Sequence, residues 1–178
     1  MDPNIYPIQY IDPILLTDGT LVQLRPIHPI DGSRAEVFKK KLSAESIYNR
    51  FLGYIPIISP KLVERLTNID YSKDMAIVAE VHPENKGKEV IAVARIASEK
   101  GQHTETEFAI IIADEWQGKG LGKILTQYMI YVAKDMGFEK IYALVFSDNT
   151  QMLEILRKNG FTFTPEDDTT TTRAERVL

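Results

Sequence analysis

Gln117-Gly118-Lys119-Gly120-Leu121-Gly122 separates two stretches of different periodicity. Upstream, Thr104 to Ala113 reads as a strand ending in Ile110-Ile111-Ile112. Downstream, Ile124, Leu125, Tyr128, Met129, Val132, Ala133 and Met136 recur at three- and four-residue spacing, which predicts a long helix. A strand that feeds directly into a helix leaves the first helical N–H groups without intrahelical partners, at the positive end of the helix dipole. Alternate glycines let a ligand approach that backbone closely, and Lys119 and Lys123 add cationic side chains. The junction therefore predicts a site for a phosphate-bearing ligand. An incidental flexible turn is the bland alternative, and it leaves the flanking lysines unexplained. The spacing is neither G-x-x-x-x-G-K-[ST] nor the G-x-G-x-x-G that follows the first strand of a dinucleotide fold.

Working outward, residues 1–13 carry Pro3, Pro7 and Pro13 and predict an extended lead-in. Asp18-Gly19 turns a hairpin between Ile14–Leu16 and Leu21–Arg25. Ala35, Val37, Phe38 and Leu42 mark a helix. Ser43 caps a second helix to Phe51, and Ser59-Pro60 opens a third to about Thr67. Met75–Val81, Glu89–Ala97 and Thr104–Ala113 predict an antiparallel meander. After the long helix, Gly137 is a natural stop. Ile141–Phe146 has the continuous apolar run of a strand buried on both faces. Asn149 caps a short helix ending at Gly160, Phe161 starts another strand, and Arg173–Leu178 is expected as a final edge strand. The fold class is α+β: one domain over 14–178, with a mixed, mostly antiparallel sheet of six to seven strands flanked by helices.

The 178 residues suffice for one domain with a sizeable core. A net charge of −4 without a basic run argues against nucleic acid as a partner. No apolar stretch reaches the roughly 18 residues that would span a membrane. Met1-Asp2-Pro3-Asn4 lacks the features of a signal peptide, and the chain has no cysteine, so a cytoplasmic location is expected. That absence also removes cysteinyl acyl-enzyme chemistry and cysteine-ligated zinc. His28, His82 and His103 have no ligand-like spacing, so no metal is implied.

Gln117–Gly122 resembles the acyl-CoA pyrophosphate loop of the GNAT N-acetyltransferase superfamily, and the order of elements from about Leu21 onward is similar to that fold. Asn149 and Gly160-Phe161 stand where the family has its Asn and its Gly-Phe ending. A narrower resemblance runs through Asp18-Gly19-Thr20, Leu24–Ile27, Leu42–Ser46, Arg50–Gly53, Asp74–Ala76 and Glu107–Ala109. These segments look like the GNAT domain of bacterial protein lysine acetyltransferases, which is often fused behind an acyl-CoA synthetase-like region.

The resemblance implies direct acetyl transfer from acetyl-CoA to an amine, with a protein lysine as the expected acceptor, for example on an acyl-CoA synthetase. An amine of pKa about 10.4 must lose a proton before attack. Glu107 is the implied base, with Glu105 on the same strand face as a second carboxylate able to raise its pKa. For both, solvated surface carboxylates are the plain alternative, and His103 is a weaker candidate base. The resemblance also implies that the end of the Glu107 strand splays from Ile141–Phe146 to admit the pantetheine arm. It places Ile110, Ile112 and Ala113 along that arm, Ile112 N–H at the oxyanion, and Gln117, Gly118, Lys119, Gly120, Leu121, Gly122, Lys123 and Asn149 at the cofactor. Where many relatives have a Tyr that protonates the departing thiolate, this chain has Leu156. Tyr128, Tyr131 and Tyr142 read as packing residues, and no general acid is assigned. Trp116 either covers the cofactor or anchors the loop. Glu105, Glu107, Asp70 and Asp74 are expected to make the acceptor side negative. A small-amine acetyltransferase and a catalytically weak acyl-CoA-binding module are the other readings.

Overall fold

The computed structural model describes residues 5–55, 57–83, 87–98, 104–167 and 170–178. The strands are β1 (Asp12–Leu15), β2 (Leu21–Pro26), β3 (Met75–Val81), β4 (Glu89–Ala97), β5 (Glu105–Ile112), β6 (Lys140–Phe146), β7 (Thr162–Pro165) and β8 (Thr171–Val177). The helices are α1 (Ala35–Lys39), α2 (Ala44–Phe51), α3 (Pro60–Thr67), α4 (Leu121–Asp135) and α5 (Thr150–Lys158). All strands form one sheet of order β1-β2-β3-β4-β5-β6-β8-β7. Every pairing is antiparallel except β5 with β6.

β3 is buried along its whole length, and its alternation divides the interior into two layers. Met75, Ile77, Ala79 and Val81 join the large core under α4, with Leu121, Leu125, Met129, Val132 and Ala133. Ala76 and Val78 point the other way, towards Phe38 of α1, Ile69 and Val93. Among the described residues no helix is long and apolar enough to cross a membrane.

Four expectations change. The sheet has eight strands rather than six to seven. β8 is not an edge strand: it lies between β6 and β7 and pairs with both. Its sequence is polar because its faces are closed by charged contacts as well as by apolar packing. Arg173 lies over the Tyr142 ring at 3.7 Å and reaches Glu105 at 3.1 Å, while Ala174 is the one fully buried residue of the strand. The lead-in is not merely extended. Ile8–Tyr10 form a 3-10 turn, β1 begins at Asp12, and Tyr10 is completely buried with its hydroxyl 2.6 Å from Asp135 Oδ2. Tyr6 similarly donates to Pro26 O at 2.7 Å. The first helical region is also shorter than expected, because Pro29–Arg34 form a 3-10 turn before α1.

Candidate functional site

β5 and β6 run parallel for three rungs, Glu105↔Lys140, Thr106↔Ile141 and Glu107↔Tyr142, and then separate. On its other side β5 stays paired with β4 as far as Ile112. Ala113 N–H donates to Ile91 O at 2.8 Å, which fixes the ladder's alternation: odd residues of β5 face β4, and Ile110 and Ile112 turn their N–H and C=O towards the gap. On the far wall Ser147 N–H donates to Thr170 O, so odd residues of β6 face β8 and Leu144 and Phe146 face the gap. Two diverging strands thus present main-chain groups to a cleft of about 870 Å³. This geometry suits a ligand that carries amides of its own.

The Gly-rich loop closes one end of the cleft. Gly118 (φ 73°) and Gly120 (φ 84°) are left-handed, which an L side chain strains to adopt. Gly122 is helical, and there a Cβ would sit 3.1 Å from Ile155 Cδ1 and 3.4 Å from Ile112 Cδ1. Gln117 braces the loop, its Nε2 donating to Ile112 O (3.1 Å), Ser46 Oγ (3.0 Å) and Asp114 Oδ1 (3.3 Å). Lys123 and Asn149 line the cleft, and Asn149 Oδ1 also accepts from Met152 N–H at 3.1 Å as the cap of α5.

α2 forms another wall. Ser43 Oγ caps it by accepting from Ser46 N–H at 3.1 Å. Asp114, just past β5, accepts from Ser43 N–H (3.0 Å) and Ser46 Oγ (2.7 Å), which ties the helix start to the strand end. From α2, Tyr48 crosses to β6 and stacks on Phe146 with ring centroids 4.8 Å apart and planes 10° apart. Arg50 marks the boundary of the cleft, lying over the Phe51 ring at 5.1 Å. Burial, and then the nearby Arg95 charge, lower its guanidinium to about 10, with Glu107 acting in the opposite direction.

Beyond Arg50 a second basin of about 560 Å³ contains Glu107, Asp70, Asp74, Arg65 and Arg95. Asp74 pairs with Arg95 at 2.7 Å, Asp70 with Lys73 at 2.9 Å, and Glu105 with Arg173 at 3.1 Å. The expected negative surface is therefore largely neutralised, and Glu105 is engaged by a cation instead of acting as a free carboxylate beside Glu107. The Glu107 side chain is half-buried and, among the described residues, makes no hydrogen bond or ion pair, although its charge acts on nearby Arg50. His103 lies outside the described residues. Among the described residues no group of His, Asp and Glu is arranged to hold a metal.

The sequence model of the acetyltransferase (GNAT) family matches residues 44–161. The chain belongs to this family. An acetyltransferase of Pseudomonas aeruginosa is 36% identical over 164 residues, 91% of this chain and 86% of the relative. The acetyltransferase Pat of Mycolicibacterium smegmatis is 30% identical over 155 residues, 87% of this chain but 45% of the relative, so the chain spans about half of that protein. Among solved structures, the GNAT domain of S. lividans PAT superposes with a TM-score of 0.87 at 28% identity, covering 98% of this chain and all of that domain. The chain is thus a GNAT acyl-CoA-dependent N-acyltransferase, and the family uses acetyl-CoA.

Within this GNAT fold the residues expected at the cofactor divide into two groups. Ile110, Ile112, Gln117, Gly118, Gly120, Gly122, Lys123 and Asn149 line the cleft. Lys119 does not: its ammonium lies over the Trp116 ring at 4.4 Å, and Trp116 packs on the core as an anchor. The Leu121 side chain is buried in the core, so only a main-chain role remains for it; Ala113 is buried, its N–H donates to Ile91 O and its C=O accepts from Trp116 N–H, both at 2.8 Å. Leu156 is also fully buried. Tyr48 and Arg50 are the cleft residues that sequence reading missed, because the Phe146 ring that Tyr48 stacks on and the Arg95 and Glu107 charges near Arg50 are far away along the chain. The one local signal was the capped helix that carries both.

Proposed function

We propose that this GNAT enzyme acetylates lysine side chains of proteins, with Glu107 as the base. The observation that carries the reading is an uncommitted carboxylate in an open basin that meets the strand cleft at Arg50. The likeness to the Pat relatives and the lysine-acetyltransferase-like segments supports the acceptor class. The arginines of the same basin disfavour a polycation such as a polyamine, which would need several free carboxylates.

Acetyl-CoA supplies the acetyl thioester. The loop N–H groups at Gly118–Gly122 and the Lys123 ammonium suit its phosphates, and the gap-facing main chain of β5 and β6 suits its amide-bearing arm. Glu107, directly or through a water, takes the proton from the acceptor ammonium, so that the neutral amine attacks the thioester carbon. As the N–C bond forms, Ile110 and Ile112 N–H offer donors for the developing oxyanion; the C–S bond then breaks and the nitrogen gives its second proton to solvent, leaving the neutral amide. Tyr48 is a hydroxyl on the cleft wall that can give a proton to the departing thiolate in place of a residue at the Leu156 position.

The test is Glu107→Gln assayed with acetyl-CoA and a lysine-bearing acceptor such as an acyl-CoA synthetase. A fall of about 10²–10⁴ in kcat/KM with unchanged acetyl-CoA affinity is expected. Unchanged turnover would remove Glu107 from the mechanism. Label on small amines alone would remove the protein acceptor.

A further inference from the structure

On the sheet face opposite α4, an apolar cavity of about 120 Å³ lies under α1, α2 and α3. Phe38, Phe51, Val63, Val78 and Val93 supply much of its wall. Its volume is many times the roughly 10–15 Å³ that one water needs on the same measure; Asp31, Arg50, Thr67 and Arg95 also border it, yet almost all of the wall surface it exposes is apolar and gives a water few partners. Wall atoms facing an unfilled space lose their dispersion contacts, so an apolar group entering it would recover them.

The cavity adjoins the cleft. Arg50 and Ile111 border both spaces. Ile111 is the odd residue between Ile110 and Ile112: its main chain faces β4 and its side chain the cavity, while its neighbours turn theirs to the cleft. An acetyl group ends one methyl beyond the thioester carbonyl and leaves the cavity unfilled.

We propose that the cavity is an acyl-chain pocket, and that this enzyme takes unbranched apolar acyl groups of about four to six carbons in addition to acetyl. The proposal rests on the reading of the β5–β6 cleft as the acyl-CoA site and not on the identity of the acceptor. Arg50 and Ile111 form the threshold, and Val93 sits on the wall beyond it, away from the cleft.

Calorimetric titration without any acceptor tests it, using CoA, acetyl-CoA, butyryl-CoA and hexanoyl-CoA. Butyryl-CoA should bind about tenfold tighter than acetyl-CoA, as expected for burying two more methylenes. Val93→Phe, which fills the pocket, should abolish that gain and leave acetyl-CoA affinity within about twofold. Val93→Leu should reduce the gain in part, and it serves if the larger side chain prevents folding. Equal affinity for all acyl-CoAs in the unaltered enzyme overturns the proposal, as does a chain-length gain that survives both substitutions. Failure of acetyl-CoA and CoA alike to bind would overturn the cleft reading and this proposal together. A lack of lysine acetylation in the presence of chain-length-dependent binding would overturn only the acceptor.

Discussion

An alanine at Gly120 would force a Cβ onto backbone at φ 84°, whereas at Gly122 it would press against the ends of Ile155 and Ile112. The first change strains the main chain, by about 1–2 kcal/mol. The second displaces flexible side-chain termini at one wall of the cleft. Gly120→Ala should therefore lower the denaturant midpoint, with acetyl-CoA affinity falling as the loop N–H groups lose their alignment. Gly122→Ala should weaken acetyl-CoA binding with a smaller stability loss. Equilibrium unfolding and titration of the two variants separate these outcomes, and equal stability losses would refute the distinction. The glycines were legible as a motif, but their separate causes were not, because a close approach to Ile155 depends on where α5 packs. Lys119 shows the same limit. Its charge suggested a phosphate contact, and the Trp116 face holds it elsewhere.

At the scale of elements, α2 owes its place to Asp114 at its start and to the Tyr48–Phe146 stack along its side. Tyr48→Phe keeps the ring contact and removes only the hydroxyl. It should leave acetyl-CoA affinity intact and lower kcat if that hydroxyl protonates the thiolate. Tyr48→Ala should weaken affinity as well, since a stacked pair contributes about 0.5–1.5 kcal/mol beyond its burial. Steady-state kinetics with direct binding measurements distinguish the two. β8 carries a second expectation. Ala174→Asp places an unpaired carboxylate in a strand flanked on both sides, and a loss of about 3 kcal/mol or more is expected in chemical unfolding. A true edge strand would tolerate it. The caps of α2, α3 and α5 were legible because each is a local hydrogen bond accepted by Ser43, Ser59 or Asn149 from an N–H three residues on. The place of β8 was not, because order within a sheet is set by partners remote in sequence, and Thr171, Thr172 and Arg173 show no core alternation.

Across the whole molecule, the β2–β3 side is held by Arg25, which bonds Asp31 at 2.7 Å and the fully buried Glu80 at 2.9 Å. Burial alone would push the Glu80 carboxyl up, but the Arg25 hydrogen bond and charge outweigh it and hold the carboxyl below its ordinary value; Asp31 behaves alike. Folding therefore favours the ionised forms. Their contribution is complete above the ordinary carboxylate range near pH 4 and is lost as pH falls below it. Glu80→Gln should cost about 3 kcal/mol at pH 7 and progressively less in acid, read from unfolding at a series of pH values. A cost that does not change with pH would show that packing matters more than charge.

The separation of β5 from β6 has a consequence for solvent exchange. The amides of Ile110, Ile112, Leu144 and Phe146 face the gap, while those of Ile111 and Val145 point to β4 and β8. In deuterated water the first set should label within a folded molecule much sooner than the second, giving a residue-by-residue alternation in an NMR exchange profile. Acetyl-CoA should slow the fast set alone, so the protein carries its own isotopic reporter of cosubstrate occupancy.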